Sequence, residues 1–161
     1  MISLVVEDID FDVLSKNLWD KSQRTAGEDL TETDLHYTFF PSRVTLEVGG
    51  IVIIGPRRRV PLFDFLACVA QLAKAVRVNE PGSMGFTEAA DRVYFRPLND
   101  DTVEISTSDS DLLVQIDRLE LEATLVAFLS SGRTQLVDNV PGIQRNPQIA
   151  KLAVSDVADT R

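Results

Sequence analysis

One stretch constrains the fold more than any other. Val44, Leu46 and Val48 alternate with Arg43, Thr45 and Glu47, and Gly49-Gly50 then separates them from the wholly apolar run Ile51 to Ile54. A period of two turns one side of a strand toward a core and the other toward water. A Gly-Gly pair supplies the two positive-φ positions that a tight hairpin turn requires. The segment therefore reads as an antiparallel hairpin. Pro61 follows, suited to the first turn of a helix, and Leu62, Phe63, Leu66, Val69, Ala70, Leu72, Ala73 and Val76 give a broad apolar face through about Val78. A hairpin feeding such a helix calls for a sheet that packs against it.

The rest of the chain extends this pattern. Ile2 to Val6 reads as a strand, and Phe11, Leu14, Leu18 and Trp19 fall at helical spacing, predicting a short helix over about 11–20. The polar run from Lys21 to Asp34 predicts a long loop with its tip at Thr25 to Asp29. His36 to Phe40 reads as a strand ended by Pro41, and the Asn79 to Gly85 stretch, with Pro81, Gly82 and Gly85, as a loop. Val93 to Phe95 and Val103 to Ile105 flank Leu98-Asn99-Asp100-Asp101 as a second hairpin. Leu112 to Ile116 fits either a strand or a helix start. From about Asp117 the leucines favour a helix, with Gly132 as a stop or kink. Asn146-Pro147 has the form of an N-cap followed by proline, predicting a last helix over 147–153. These elements predict an α+β fold, a mainly antiparallel sheet built from hairpins and packed against one central helix and two or three shorter ones. A length of 161 residues fits one domain, taken as 1–154, with 155–161 a frayed tail.

Charge is unevenly spread. The formal net charge of −9 is concentrated in residues 1–35, with nine acids against three bases, and residues 99–131, with eight against one. Residues 36–60 are basic, with one acid against four arginines. An acidic surface repels phosphate chains, so direct nucleic-acid binding is excluded as an expectation, and the same field would steer the protein toward a basic partner. No apolar run reaches the roughly 18 residues of a membrane span, and the N-terminal stretch lacks the basic flank of a signal peptide, so the expected location is the cytoplasm, away from membranes.

Catalytic chemistry finds few materials. His36 is the only histidine and Cys68 the only cysteine. The neighbours of Cys68 place it on a buried helix face, as a core thiol rather than a nucleophile. One cysteine and one histidine do not build a zinc site without two carboxylates, and no phosphate-binding glycine motif is present. Asp8, Asp10 and Asp12 would project from one side of an extended segment, but the register gives Val13 and Trp19 where an EF-hand needs glycine and glutamate. Asp109 and Asp111 read as a capping loop. No metal, cofactor or catalytic set is expected, although an enzyme using His36 or an unrecognised pair of carboxylates stays open.

The densest basic site is Arg57-Arg58-Arg59, between the hairpin and the central helix. Its guanidinium groups would welcome an anion, either from a partner or from the chain's own acids. In size, acidity and arrangement of elements the chain resembles the small acidic immunity proteins of bacterial polymorphic toxin systems. That resemblance implies a protein that neutralises a cognate toxin, a basic toxin or enzyme domain, by covering its basic site with acidic side chains. The expected partner-binding residues are Asp100, Asp101, Glu104, Asp109 and Asp111, which share a hairpin turn and the loop after it, with Arg57, Arg58 and Arg59. A structural or adaptor subunit of a larger assembly is the alternative, and the oligomeric state is left open.

Overall fold

The computed structural model describes residues 1–11, 26–56, 59–86 and 89–153. Among the described residues two antiparallel sheets and four helices make an α+β fold. The first sheet is built on β2 (Pro41–Val48), which β1 (Ile2–Glu7) flanks along its whole length, from Ile2 opposite Val48 to Glu7 opposite Arg43. Two short strands share the other side of β2: β3 (Ile51–Ile54) pairs its end and β4 (Arg59–Pro61) its beginning. The Gly49-Gly50 turn forms as expected, with φ of 57° and 84°, values at which a side chain would be strained. Val44, Leu46 and Val48 face the core. The apolar run Ile51 to Ile54 is not buried on both faces, because β3 is an edge strand and leaves Ile51 44% and Val52 52% exposed.

The second sheet is a four-stranded meander of β5 (Gly82–Phe86), β6 (Ala89–Pro97), β7 (Thr102–Thr107) and β8 (Leu113–Asp117). Its inner face carries Met84, Val93, Phe95, Val103, Ile105 and Ile116, all buried. The expected β6–β7 hairpin is present, and Asn99 holds its turn by accepting from the amides of Asp101 and Thr102 at 2.9 Å each. The segment over 112–116 proves to be a strand. The expected loop over Asn79–Gly85 is corrected in its second half, where Gly82 begins β5. A Cβ at Gly82 would stand 2.7 Å from Leu72 Cδ1, so this glycine lets an edge strand press against a helix rather than marking a loop.

The helices are α1 (Glu32–Tyr37), α2 (Leu62–Arg77), α3 (Arg118–Asn139) and α4 (Pro147–Ala150). The strand expected over His36–Phe40 is instead the last two residues of α1, His36 and Tyr37, followed by the turn Thr38–Phe40. Thr31 and Asp34 form a capping box, each side chain bonded to the other's amide at 3.1 and 3.0 Å, and this fixes a helix that six residues of weak periodicity do not announce. Phe40, at φ 58°, then turns the chain into β2. Pro61 is the N-cap of α2 rather than its first residue, and Asp117 caps α3 by accepting from the Glu120 amide at 2.9 Å. At 22 residues α3 is longer than the 16-residue α2, so the core has two main helices rather than one. Gly132 neither stops nor kinks α3. It is buried in mid-helix, where a Cβ would stand 2.5 Å from Leu66 Cδ2 on α2, so its role is a close helix crossing. Asn146 caps α4 as expected. The helix expected over 11–20 falls outside the described residues beyond Phe11, as do Thr25 at the loop tip and the tail.

One hydrophobic cluster joins both sheets and the helices, with Phe39, Phe40, Phe63, Phe95 and Leu121 among its fully buried side chains. Sheet two therefore has one face on the core and one face left for other uses.

Candidate protein-interaction surface

The outer face of the second sheet follows from its register. Ser83, Tyr94, Ser106 and Leu113 lie in one cross-strand row, and Arg96, Glu104 and Gln115 in the next. Tyr94 is 43% and Leu113 65% exposed, so this row presents an aromatic ring on the inner strand β6 and an aliphatic side chain at the start of the edge strand β8, with Ser106 between them and Arg96 in the next row. Tyrosine and arginine are the side chains that most often carry binding energy at interfaces. Residues missed in the sequence thus include Tyr94, Arg96 and Leu113. The signal was present in the order Arg92-Val93-Tyr94-Phe95-Arg96, where alternation sets Tyr94 with the arginines and Val93 and Phe95 with the core.

The five acids expected to act together are divided by the fold. Asp100 and Asp101 lie in the β6–β7 turn, and Asp109 and Asp111 between β7 and β8, so the six-residue β7 separates the two pairs by roughly 20 Å. They do not form one cluster. Instead they stand at opposite ends of the outer face. Glu104 lies on that face between them, but it is 14% exposed and bonded to Arg96 across the strands at 2.6 Å, so its charge is already matched.

Each turn is held differently. Arg118 donates through Nε to the Asp100 carbonyl at 2.6 Å, its amide donates to the Asp101 carbonyl at 2.8 Å, and its Nη1 reaches the Val76 and Arg77 carbonyls at the end of α2. Asn79 adds a 3.3 Å bond to Asp100 Oδ1, and Arg77 meets Glu122 at 2.7 Å close by. The first turn is thus docked onto both helices. At the other end, Ser110 Oγ lies 2.6 Å from Thr107 Oγ1 and accepts from the Leu112 amide, the local role expected of Asp109 or Asp111. Asp109 also borders a cleft of about 130 Å³ with Asp91, Arg92, Ile54 and Gly55.

That cleft bears on the arginine run. Gly55, which follows β3, thus lies by the Asp109 end of the second sheet. Arg57 and Arg58 lie outside the described residues. Arg59 begins β4, exposed and opposite Arg43, whose Nη1 is 3.6 Å from Asp8 Oδ2. Asp8 itself is at φ 50°, which ends β1, and Asp12, the last of the three alternating aspartates, lies outside the described residues.

His36 and Cys68 take up different positions from those expected. His36 Nδ1 is 2.7 Å from Asp64 Oδ1 and its ring sits edge-on to Phe63, tying α1 to α2. Cys68 is half-buried rather than in the core, lining a groove of about 390 Å³ with Asp64, Gln71, Ser83 and Arg92. Burial, helped by the negative charge of Asp64, pushes its thiol up, which disfavours the thiolate a nucleophile needs. Among the described residues no three His, Cys, Asp or Glu side chains gather to hold a metal ion, and no helix is long and apolar enough to cross a membrane. Comparisons with protein-family models, curated proteins and solved structures find no match to this chain.

Proposed function

We propose that this chain is a protein-binding module of the inhibitor or immunity kind, cytoplasmic, and that it meets its partner with the outer face of the second sheet. One observation carries the reading: Tyr94 and Leu113 stand exposed in one cross-strand row of an antiparallel face whose two ends are acidic turns. Such a face matches a partner with an apolar patch and basic groups roughly 20 Å apart, the spacing that β7 imposes. The acidic turns would steer the encounter, and Tyr94 and Leu113 would supply the buried contact. A basic toxin or enzyme domain has that character. The uneven net charge of −9 supports the same choice of partner.

A comparative capture from the native host tests it. The tagged full chain, a Tyr94→Ala and Leu113→Ser variant, and a variant with Asp100, Asp101, Asp109 and Asp111 changed to Asn are used side by side. The expected result is one stoichiometric basic protein held by the native chain, lost from the first variant, and held by the second only weakly and with little dependence on salt. Equal retention of that protein by all three, with melting temperatures unchanged, would overturn the reading.

A further inference from the structure

The first sheet offers a second surface, at the free edge of β1. Among the described residues only β2 pairs with β1. Gly49 N–H donates to the Met1 carbonyl, so Met1, Ser3, Val5 and Glu7 turn their backbone groups toward β2, and Ile2, Leu4 and Val6 turn theirs away. The Ile2 amide bears this out, because its partner is the Glu120 carboxylate on α3 at 2.9 Å. The Ile2 carbonyl and both backbone groups of Leu4 and Val6 have no bond to another strand among the described residues. They border a groove of about 420 Å³ that runs along Ile2 to Val6. One face of α3 makes the opposite wall: Thr124, Ala127, Phe128, Ser131 and Gln135. The groove is thus apolar at its floor, where Phe128 is buried against Phe65, and polar at its rim.

The geometry points to β1 as the docking edge for an extended segment of another protein, about five residues long, with apolar side chains at alternate positions and lysine or arginine at its ends. The five outward backbone groups would complete a strand pair, and the floor would take the side chains that point toward α3. Charge decides the occupant. Glu7 and Asp8 stand at one end of the groove and Glu120 at the other. In a two-fold pairing of β1 with a second copy, each junction would bring Glu7 and Asp8 of one chain toward Glu120 of the other. The Met1 ammonium, 3.4 Å from Glu120, and Arg43, 3.6 Å from Asp8, would leave that junction with excess negative charge, between bodies of charge −9. A segment with lysine or arginine beside Glu7 and Asp8 meets that excess with the opposite sign.

The test uses two fluorescent pools of seven-residue peptides. Both alternate Val, Ile, Leu or Phe with Ser or Thr, one ending in lysine or arginine and the other in aspartate or glutamate. Val6→Pro removes an outward N–H and leaves the β1–β2 ladder intact, the edge position where proline is tolerated. Ser131→Trp, at an exposed α3 site, obstructs the groove without entering the core. Fluorescence anisotropy should show the basic-ended pool binding at least tenfold more tightly than the acidic-ended pool, and each substitution weakening it at least fivefold with an unchanged melting temperature. Equal affinity for both pools, or no binding by the native chain, would overturn the inference. So would a concentration-dependent dimer that Val6→Pro abolishes, since the edge would then belong to a second copy.

Discussion

Gly132→Ala isolates the close crossing of α2 and α3. Two effects of opposite sign compete. In a helix interior alanine is favoured over glycine by about 1 kcal/mol. Against this, the new methyl would lie 2.5 Å from Leu66 Cδ2 and 3.1 Å from Cδ1. Leu66 is fully buried, so its side chain has no solvent to move into. Overpacking of this kind costs about 1–3 kcal/mol, and so tight a contact belongs in the upper half of that range. The net expectation is a loss of about 1–2 kcal/mol, or a fall of roughly 2–8 °C in Tm for a chain of this length. Leu66→Ala removes the three atoms nearest the methyl, Cδ2, Cδ1 and Cγ, and by itself should destabilise by about 2–5 kcal/mol. In that background Gly132→Ala should become stabilising by up to about 1 kcal/mol, because only the helix preference is left. Urea denaturation of all four chains in a double-mutant cycle reads the change of sign. A Gly132→Ala effect of the same sign and size in both backgrounds would refute the claim that this glycine serves the helix crossing.

Three further outcomes follow from the structure. Asn146 is buried, and its side chain donates to the Gly27 and Leu30 carbonyls at 2.9 and 2.8 Å while its oxygen accepts from the Gln148 amide at 3.0 Å. Asn146→Ala should therefore cost about 2–4 kcal/mol by urea denaturation and open the chain near Ala26 to Thr31 to limited proteolysis. The hydrogen bond from Arg145 holds the Glu28 carboxyl below the usual carboxylate range. A depressed acid stabilises above its unfolded value of about 4.3 and loses that contribution as pH falls through the folded value, so the stability gap between the native chain and Glu28→Gln should shrink from pH 6 to pH 3. Cys68, with its thiol pushed up by burial, should react with iodoacetamide at pH 7.5 more slowly in the native chain than in the chain unfolded by urea.

The fold class and both hairpins were legible because their signals are local: alternation in Val44 to Val48, glycine at the turn, asparagine before Asp100. The misread elements share another cause. At Gly82 and Gly132 the local pattern reads as a break, whereas each glycine is required by a side chain on another element, Leu72 and Leu66 respectively. Spacing along one element does not reveal a neighbour's side chain. His36 to Phe40 was misread because α1 is only six residues long and rests on the Thr31–Asp34 capping box more than on periodicity. The acidic set was legible as composition but not as geometry. Proximity in sequence from Asp100 to Asp111 hides the strand that carries the two turns to opposite ends of one face. Asp100's turn is docked by Arg118 to the end of α2, a contact across 41 and 42 residues that no local pattern announces.

Carboxyl footprinting of the captured complex tests the central claim most directly. Asp100, Asp101, Asp109 and Asp111 are labelled with a carbodiimide and an amine in the free chain and in the complex, and the label at each is read by mass spectrometry. The account predicts that both turns lose labelling together on binding, while Asp138, on the exposed part of α3, is labelled equally in both states. Undiminished labelling of both turns in a stoichiometric complex would contradict it and move the interface away from the outer face of the second sheet.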